Sequence, residues 1–314
     1  MQPCSCVTGG ANTGRPNCLP VFDVTKQLML VEYYKSDGTV NGIAEGDLTN
    51  GVLTQTFLND WVKNSDPKLR AYPTPELKNP TDERGDDIME EFEDGSSIFI
   101  QDGSRNFEAM IVKGDPILLG NLQAWRCLKF GVYFIDKSGN LIGKNNREGY
   151  LDPILIADES FSIGLIKGTD TTKQKLRLKF QVSQLEDDAN LMQIESSMIT
   201  ANLLGVGGLI DVYATEVTDI TTTGFKVQLD TQFGGFTSKQ PAEGLETADF
   251  LCYNVTDSAF VTITSATESA AIDGNYTFVI TPAQTASDQL LITNKAGTLD
   301  KSYDIVSFNV TIPS

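Results

Sequence analysis

The 314-residue chain contains no histidine, which removes most of the common catalytic and metal-binding arrangements. Without an imidazole it cannot form a Ser-His-Asp or Cys-His nucleophile system, a histidine-ligated zinc site or a histidine general base. A carboxylate pair, as in glycoside hydrolases, can catalyse hydrolysis without histidine. The acidic run from Asp82 to Asp94 could supply one, but no cluster of aromatic residues for sugar binding accompanies it. We therefore predict that the protein is not an enzyme and binds no cofactor.

Positive charge is also scarce. The chain has 24 Lys and Arg against 42 Asp and Glu, a net charge of −18. A surface of that sign repels phosphate, so we expect no sequence-specific binding of nucleic acid. The most apolar uncharged stretch, residues 199–210, includes three glycines and is far shorter than the ~20 residues of a membrane-spanning helix. The first residues do not resemble a secretory signal. These features predict a soluble protein that is made in a cytoplasm, does not bind membranes and leaves the cell, if at all, by a route other than a signal peptide.

Cysteine is sparse and irregularly spaced. Five cysteines, an odd number, form a poor disulfide framework for a chain of this size. Cys4, Cys6 and Cys18 could hold a structural zinc with Cys127, but Cys-x-Cys is tighter than the usual ligand spacing. Clustered acids could bind calcium, yet the chain has no loop of the EF-hand kind. We predict no metal site, and we interpret residues 1–22, rich in Gly, Asn, Pro and Cys, as an N-terminal arm.

Residues 23–214 are predicted to form a β-rich domain with one or two helices. An apolar run over residues 27–34 and another over 130–136 indicate strands. Residues 54–64 place Phe57, Leu58, Trp61 and Val62 at helical spacing, and residues 116–127 indicate a second helix. The four prolines of residues 67–80 indicate an extended loop.

Two Asp-Gly pairs divide the next segment. Asp94-Gly95 and Asp102-Gly103 separate three segments, residues 86–93, 96–101 and 105–112. Asp-Gly favours a two-residue hairpin turn because it tolerates positive φ. The spacing therefore predicts a meander of three consecutive strands, in which Asp86, Glu90 and Glu91 form an acidic surface.

A second hairpin is predicted for residues 161–167 and 173–182. In its return strand apolar and basic residues alternate, so that they lie on opposite faces. The basic face consists of Lys173, Lys175, Arg177 and Lys179. One interpretation is a solvated outer face. The other is an assembly interface with the acidic meander of a neighbouring copy, since complementary strips favour head-to-tail association into rings or stacks.

Residues 215–314 differ from the rest in pattern. They carry 12 acids and four bases and contain six or seven short alternating strands with no helical period. That pattern is typical of an immunoglobulin-like β-sandwich, although the Cys and Trp core of antibody domains is absent. The predicted fold class is thus mainly β, with an N-terminal β-sandwich or barrel-like domain (23–214) followed by an immunoglobulin-like sandwich (215–314).

This layout resembles structural proteins of tailed-bacteriophage virions, in particular tail-tube proteins with a C-terminal immunoglobulin-like domain. The resemblance implies stacked homo-oligomeric rings, other virion proteins as partners and a location in the virion after assembly in the host cytoplasm. It also implies that residues 159–183 match that family's long hairpin, and residues 54–64 or 117–128 its flanking helix. A head auxiliary or decoration protein, a tail-ring protein and an adhesin-like glycan-binding module remain alternatives.

Overall fold

The computed structural model describes residues 21–112, 114–146, 149–232, 235, 239–295 and 299–314. Strands make up 49% of it, and the fold is mainly β and sandwich-like with two α-helices, as predicted. Residues 1–20 of the predicted N-terminal arm, which include Cys4, Cys6 and Cys18, lie outside the described residues.

The N-terminal part contains fourteen strands in its described residues. They are β1 (Thr25–Glu32), β2 (Ile43–Ala44), β3 (Ala71–Pro73), β4 (Leu77–Arg84), β5 (Ile88–Glu91), β6 (Ser97–Gln101), β7 (Arg105–Val112), β8 (Phe130–Asp136), β9 (Leu141–Asn145), β10 (Tyr150–Asp152), β11 (Ile154–Leu155), β12 (Ser162–Ile166), β13 (Lys175–Gln181) and β14 (Leu191–Ile194). The two helices are α1 (Gln55–Val62) and α2 (Pro116–Ala124).

Two sheets pack face to face in this part. The first has the strand order β2-β10-β9-β8-β1-β3, with β11 and β14 paired to β8 and β9; the second has the order β12-β13-β7-β4. Leu28 and Leu30 of β1 point toward the second sheet, whereas Met29 and Val31 point the other way. Because both faces of the first sheet are covered, every residue of β8 is buried, which explains its continuous apolar run.

The predicted helices are confirmed. The Thr54 hydroxyl accepts a hydrogen bond from the Phe57 amide (3.3 Å) and caps α1. Trp61 of α1 packs edge-on against Tyr133 in the first sheet, with ring centroids 5.4 Å apart. At α2, Asp115 accepts hydrogen bonds from the first turn and Pro116 occupies its first position, as is common at helix starts.

Two predictions for the N-terminal part are wrong. The proline-rich segment 67–80 is not only loop, because it contains β3 and the start of β4. The three-stranded meander does not form either. Among the described residues, β5 and β6 pair only with each other, whereas β7 pairs with β4 and β13. Residues 85–104 are therefore an extension inserted between β4 and β7, which we call the acidic hairpin.

The C-terminal part contains nine strands in its described residues. They are β15 (Ile210–Thr221), β16 (Gly224–Gln232), β17 (Lys239–Pro241), β18 (Phe250–Asn254), β19 (Ala259–Glu268), β20 (Asn275–Thr281), β21 (Gln289–Asn294), β22 (Tyr303–Ile305) and β23 (Phe308–Thr311).

These strands form the predicted immunoglobulin-like sandwich. One layer has the order β15-β16-β20-β19 and the other the order β19-β18-β21-β23, and β19 passes from one layer to the other. The order corresponds to the A-B-E-D and C-F-G sheets of immunoglobulin domains. Phe225, Phe278 and Phe250 fill the space between the layers. Cys252 is buried beside them as a free thiol, and burial raises its pKa to about 11.

The buried apolar residues of the C-terminal sandwich form a cluster of their own, which starts at Val212. The clusters of the N-terminal part extend to Leu203. Between them, residues 204–209 are exposed or half-buried, and β15 begins at Ile210, before the predicted boundary at residue 215. That the two parts fold separately stays a prediction.

Limited proteolysis tests this prediction. We expect a protease of broad specificity to cut first within residues 204–209, since exposed segments without ladder hydrogen bonds are cleaved fastest. Mass spectrometry should identify a protected fragment from about residue 210 to residue 314. A C-terminal fragment that is unfolded by circular dichroism would contradict separate folding.

Candidate assembly surfaces

The predicted basic face lies on the outer side of the second sheet. In β13, Leu176, Leu178 and Phe180 are buried while Arg177 and Lys179 are exposed, as the alternation predicted. Lys175 is half-buried at the start of the strand, and Lys173 is exposed in the loop before it. Pairing of β12 with β13 confirms the second predicted hairpin.

Glu108 of β7, which the sequence analysis did not single out, lies on this face and pairs with two of its four cations. Its carboxylate contacts Arg177, with one oxygen 3.0 Å from Nη2, and lies 3.0 Å from Lys179 Nζ. Hydrogen bonds from Arg177 and then Lys179 lower the pKa of Glu108 to about 2. Two of the four predicted cations therefore share one carboxylate within the chain. Lys173 and Lys175 form no ion pair with any described residue.

The lowered pKa of Glu108 predicts a specific pH dependence. The ordinary value is 4.5, and a carboxylate with a depressed folded-state pKa contributes stability above that value and loses it as pH falls toward about 2. In a carbon-13 NMR titration we expect the Glu108 carboxyl to remain ionised at pH 3.5. In Arg177→Ala/Lys179→Ala, its titration should move toward the ordinary value. A wild-type midpoint near 4.5 would contradict the pairing.

The acidic hairpin carries the second predicted surface. Asp86, Glu90 and Glu91 are all exposed and form no ion pair with another described residue. Residues 85–104 contain seven acids and no base. The hairpin also exposes six large apolar side chains, each between 42% and 57% accessible: Ile88, Met89, Phe92, Ile98, Phe99 and Ile100. The sequence analysis recognised the acids and missed this apolar surface.

Apolar residues occur on both sides of the acidic hairpin. Met89 is opposite Phe99 on one face, and Ile98 is opposite Glu90 on the other. In a half-buried strand one face would be polar. Isolated two-stranded hairpins are marginal in water, and a contiguous exposed apolar patch commonly marks an interaction site. This surface is therefore the strongest indication of a binding partner in the described part of the chain.

The two Asp-Gly pairs have different structural roles. Gly95 has a φ of +79° and forms the tip of the hairpin, where the Phe92 amide bonds to the Ser96 carbonyl. Gly103 lies against the backbone of Gly85 and Asp86 in the other arm of the hairpin. A Cβ there would lie 2.0 Å from the Gly85 carbonyl oxygen, so this position requires glycine for close approach rather than for a turn.

A network of ion pairs holds the base of the hairpin. Arg105 contacts both carboxylate oxygens of Asp82, at 2.7 and 2.6 Å, and also reaches Asp188 at 3.1 Å. Arg84 binds Asp188 at 2.8 Å and donates to the Gly103 carbonyl. Burial alone would lower the pKa of Arg105, but the two carboxylates outweigh it and raise the pKa. These bonds anchor the segment from which the hairpin projects.

The two surfaces lie at opposite ends of the second sheet. The hairpin leaves the sheet at Arg84 and Arg105, whereas Lys175 is paired with Val112 at the far end of β7. Val112 is seven positions after Arg105 along the strand, roughly 24 Å away at about 3.4 Å per residue. Within one chain the acidic hairpin therefore does not face Lys173 and Lys175.

A cleft of about 700 Å³ lies between the N-terminal part and the C-terminal sandwich. Tyr72 and Trp125 line it, as do residues 204–209. At its edge the buried Arg70 binds Asp304 at 2.6 Å, and burial raises the pKa of Asp211. Because Arg70 and Asp304 neutralise each other, this pair offers no unpaired charge to a ligand in the cleft. The pair joins the N-terminal part to the C-terminal sandwich.

Other kinds of site find little support among the described residues. No three of their cysteine, aspartate and glutamate side chains are grouped so that they could hold a metal ion. None of their helices combines the length and apolar character needed to span a membrane.

The chain matches no protein-family model and no curated protein. The resemblance to phage tail-tube proteins therefore stays a prediction.

Proposed function

We propose that the protein is a structural component of a bacteriophage virion that assembles with copies of itself into rings, as tail-tube proteins do. The observation that carries the proposal is the acidic hairpin, whose six apolar side chains are exposed on both faces. Burial of apolar surface contributes about 25 cal/mol per Å², so covering this hairpin by a partner is favourable. The proposal makes that partner a second copy of the chain.

Charge supports a second copy as the partner. A hairpin with seven acids and no base repels other acidic surfaces and needs a cationic partner. The same chain carries Lys173 and Lys175 without ion pairs among the described residues, at the other end of the sheet. Contact between one copy's hairpin and another's lysines is head-to-tail, and a head-to-tail contact generates a ring or a filament.

The arrangement of the two parts supports a virion component. A β-sandwich with flanking helices is followed by an immunoglobulin-like sandwich whose described residues belong to neither the acidic hairpin nor the basic face. In this proposal the N-terminal part assembles and the C-terminal sandwich faces outward. The projecting segment is the hairpin of residues 85–104, whereas the resemblance pointed to residues 159–183, which are a hairpin within the second sheet.

Charge reversal tests the electrostatic half of the contact. Lys173→Glu/Lys175→Glu should weaken assembly, measured by sedimentation velocity and negative-stain microscopy at low salt. Adding Glu90→Lys/Glu91→Lys should restore it, since the signs are complementary again. Exposed ion pairs contribute ~0–1 kcal/mol each, so several must act together. Glu108→Gln should strengthen assembly, because it releases Arg177 and Lys179.

Assembly of the fourfold variant no better than that of the double variant would contradict direct pairing of the two surfaces. Salt provides a further check, because the Debye length falls to about 10 Å at 0.1 M. Assembly that is unchanged between low and high salt would also contradict the electrostatic contact.

A substitution in the acidic hairpin tests the apolar half. Ile98→Ser should leave the monomer folded, since Ile98 is 57% exposed, and should reduce assembly because it removes apolar area from the contact. Ile272→Ser is the matched control, since Ile272 is an isoleucine of 58% exposure in the C-terminal sandwich. Equal assembly of the two variants would overturn the role of the hairpin. Wild-type protein that remains monomeric at every concentration would overturn self-assembly.

A further inference from the structure

The outer face of one layer of the C-terminal sandwich carries a row of side chains that crosses all four strands. Phe260 of β19 is opposite Tyr253 of β18, Tyr253 is opposite Leu291 of β21, and Leu291 is opposite Asn309 of β23. The rings of Tyr253 and Phe260 are 5.2 Å apart and nearly edge to face. Phe260 is 70% exposed. The two ring planes are inclined at 69°, and we call this pair the aromatic platform.

The surroundings of the platform are polar but uncharged. Where these four strands pair, the residues that alternate with the core positions point outward, and they are Leu, Tyr, Phe, Thr, Gln and Asn. None of these outward residues is charged at neutral pH, although 21% of the chain is Asp, Glu, Lys or Arg. The side chains of Gln289, Thr293 and Asn309 form no hydrogen bond with another described residue. Their donors and acceptors are thus available to a ligand.

We propose that this face binds a neutral saccharide. The apolar C–H face of a sugar ring can lie on the aromatic platform, which supplies a large apolar contact area at fixed geometry. Sugar hydroxyls both donate and accept hydrogen bonds, as do the amides of Gln289 and Asn309 and the hydroxyl of Thr293. An uncharged surface matches an uncharged ligand, because an ionic ligand would lose hydration without gaining a partner.

The size of the face favours a small ligand over a second copy of the chain. A fully covered aromatic side chain buries ~150–250 Å², so the row supplies a few hundred Å² at most. A standard protein interface buries about 800 Å² per partner. The inference is independent of the proposed function, because no residue of this face belongs to the acidic hairpin or the basic face.

Affinity electrophoresis of the full chain tests the proposal. Native gels would contain one of four neutral polysaccharides (amylopectin, glucomannan, galactomannan or xyloglucan) or the anionic polysaccharide alginate. We expect at least one neutral polysaccharide to retard the protein and alginate not to. Phe260→Ala and Tyr253→Ala should each lower the apparent association constant at least about tenfold, since each removes apolar contact area.

The matched control is Tyr34→Ala, which removes an exposed tyrosine from the N-terminal part and should leave the retardation unchanged. Circular dichroism would confirm that all variants are folded. Absence of retardation by all four neutral polysaccharides overturns the proposal, as does retardation of Phe260→Ala equal to wild type. Dimerisation that Phe260→Ala abolishes, without any retardation, would assign the face to a second copy instead. Assembly through the acidic hairpin would be unaffected in each case.

Discussion

The packing of the second sheet on the first is the interaction on which the proposed assembly surfaces depend. Phe107 of β7 stacks on Phe180 of β13 at 4.9 Å and meets Phe134 of β8 edge-on at 5.3 Å. All three are almost completely buried. Because these rings point inward, their neighbours in the same strands must point outward, and that places Glu108, Arg177 and Lys179 together on the outer face. The inward packing of the three phenylalanines thus determines which face of the second sheet carries the charged side chains.

The same strand also determines where the acidic hairpin projects. β7 continues from the hairpin into the centre of the second sheet, between β4 and β13. With its base held by Arg84 and Arg105, the hairpin extends from one end of a rigid layer. Anchoring of the base lowers the entropic cost of binding, because fewer backbone dihedrals of that segment are ordered on contact. The exposed apolar residues are therefore presented in an arrangement suited to association.

The two parts of the chain present different chemistry to their surroundings. The N-terminal part offers concentrated charge of both signs together with apolar side chains, a combination suited to a specific protein contact. The C-terminal sandwich offers an aromatic pair among uncharged polar groups, which is suited to a neutral ligand. Since the buried cluster of each part closes on itself, a change on one surface need not disturb the other.

Local spacing by itself determined the elements whose burial pattern repeats along the chain. The alternation in β13, the helical spacing of Phe57, Leu58 and Trp61, and the short alternating strands after residue 215 all led to correct predictions, because each pattern reflects one buried face.

Tertiary structure alone decided which strands pair. Asp102-Gly103 has the sequence of a turn into β7, yet β7 pairs with β4 instead of β6. It also placed Glu108 between Arg177 and Lys179, 69 residues away from Arg177 in sequence, and left the apolar residues of the acidic hairpin uncovered. Ladder partners and ion pairs come from distant segments, and the local spacing of a strand carries no information about them.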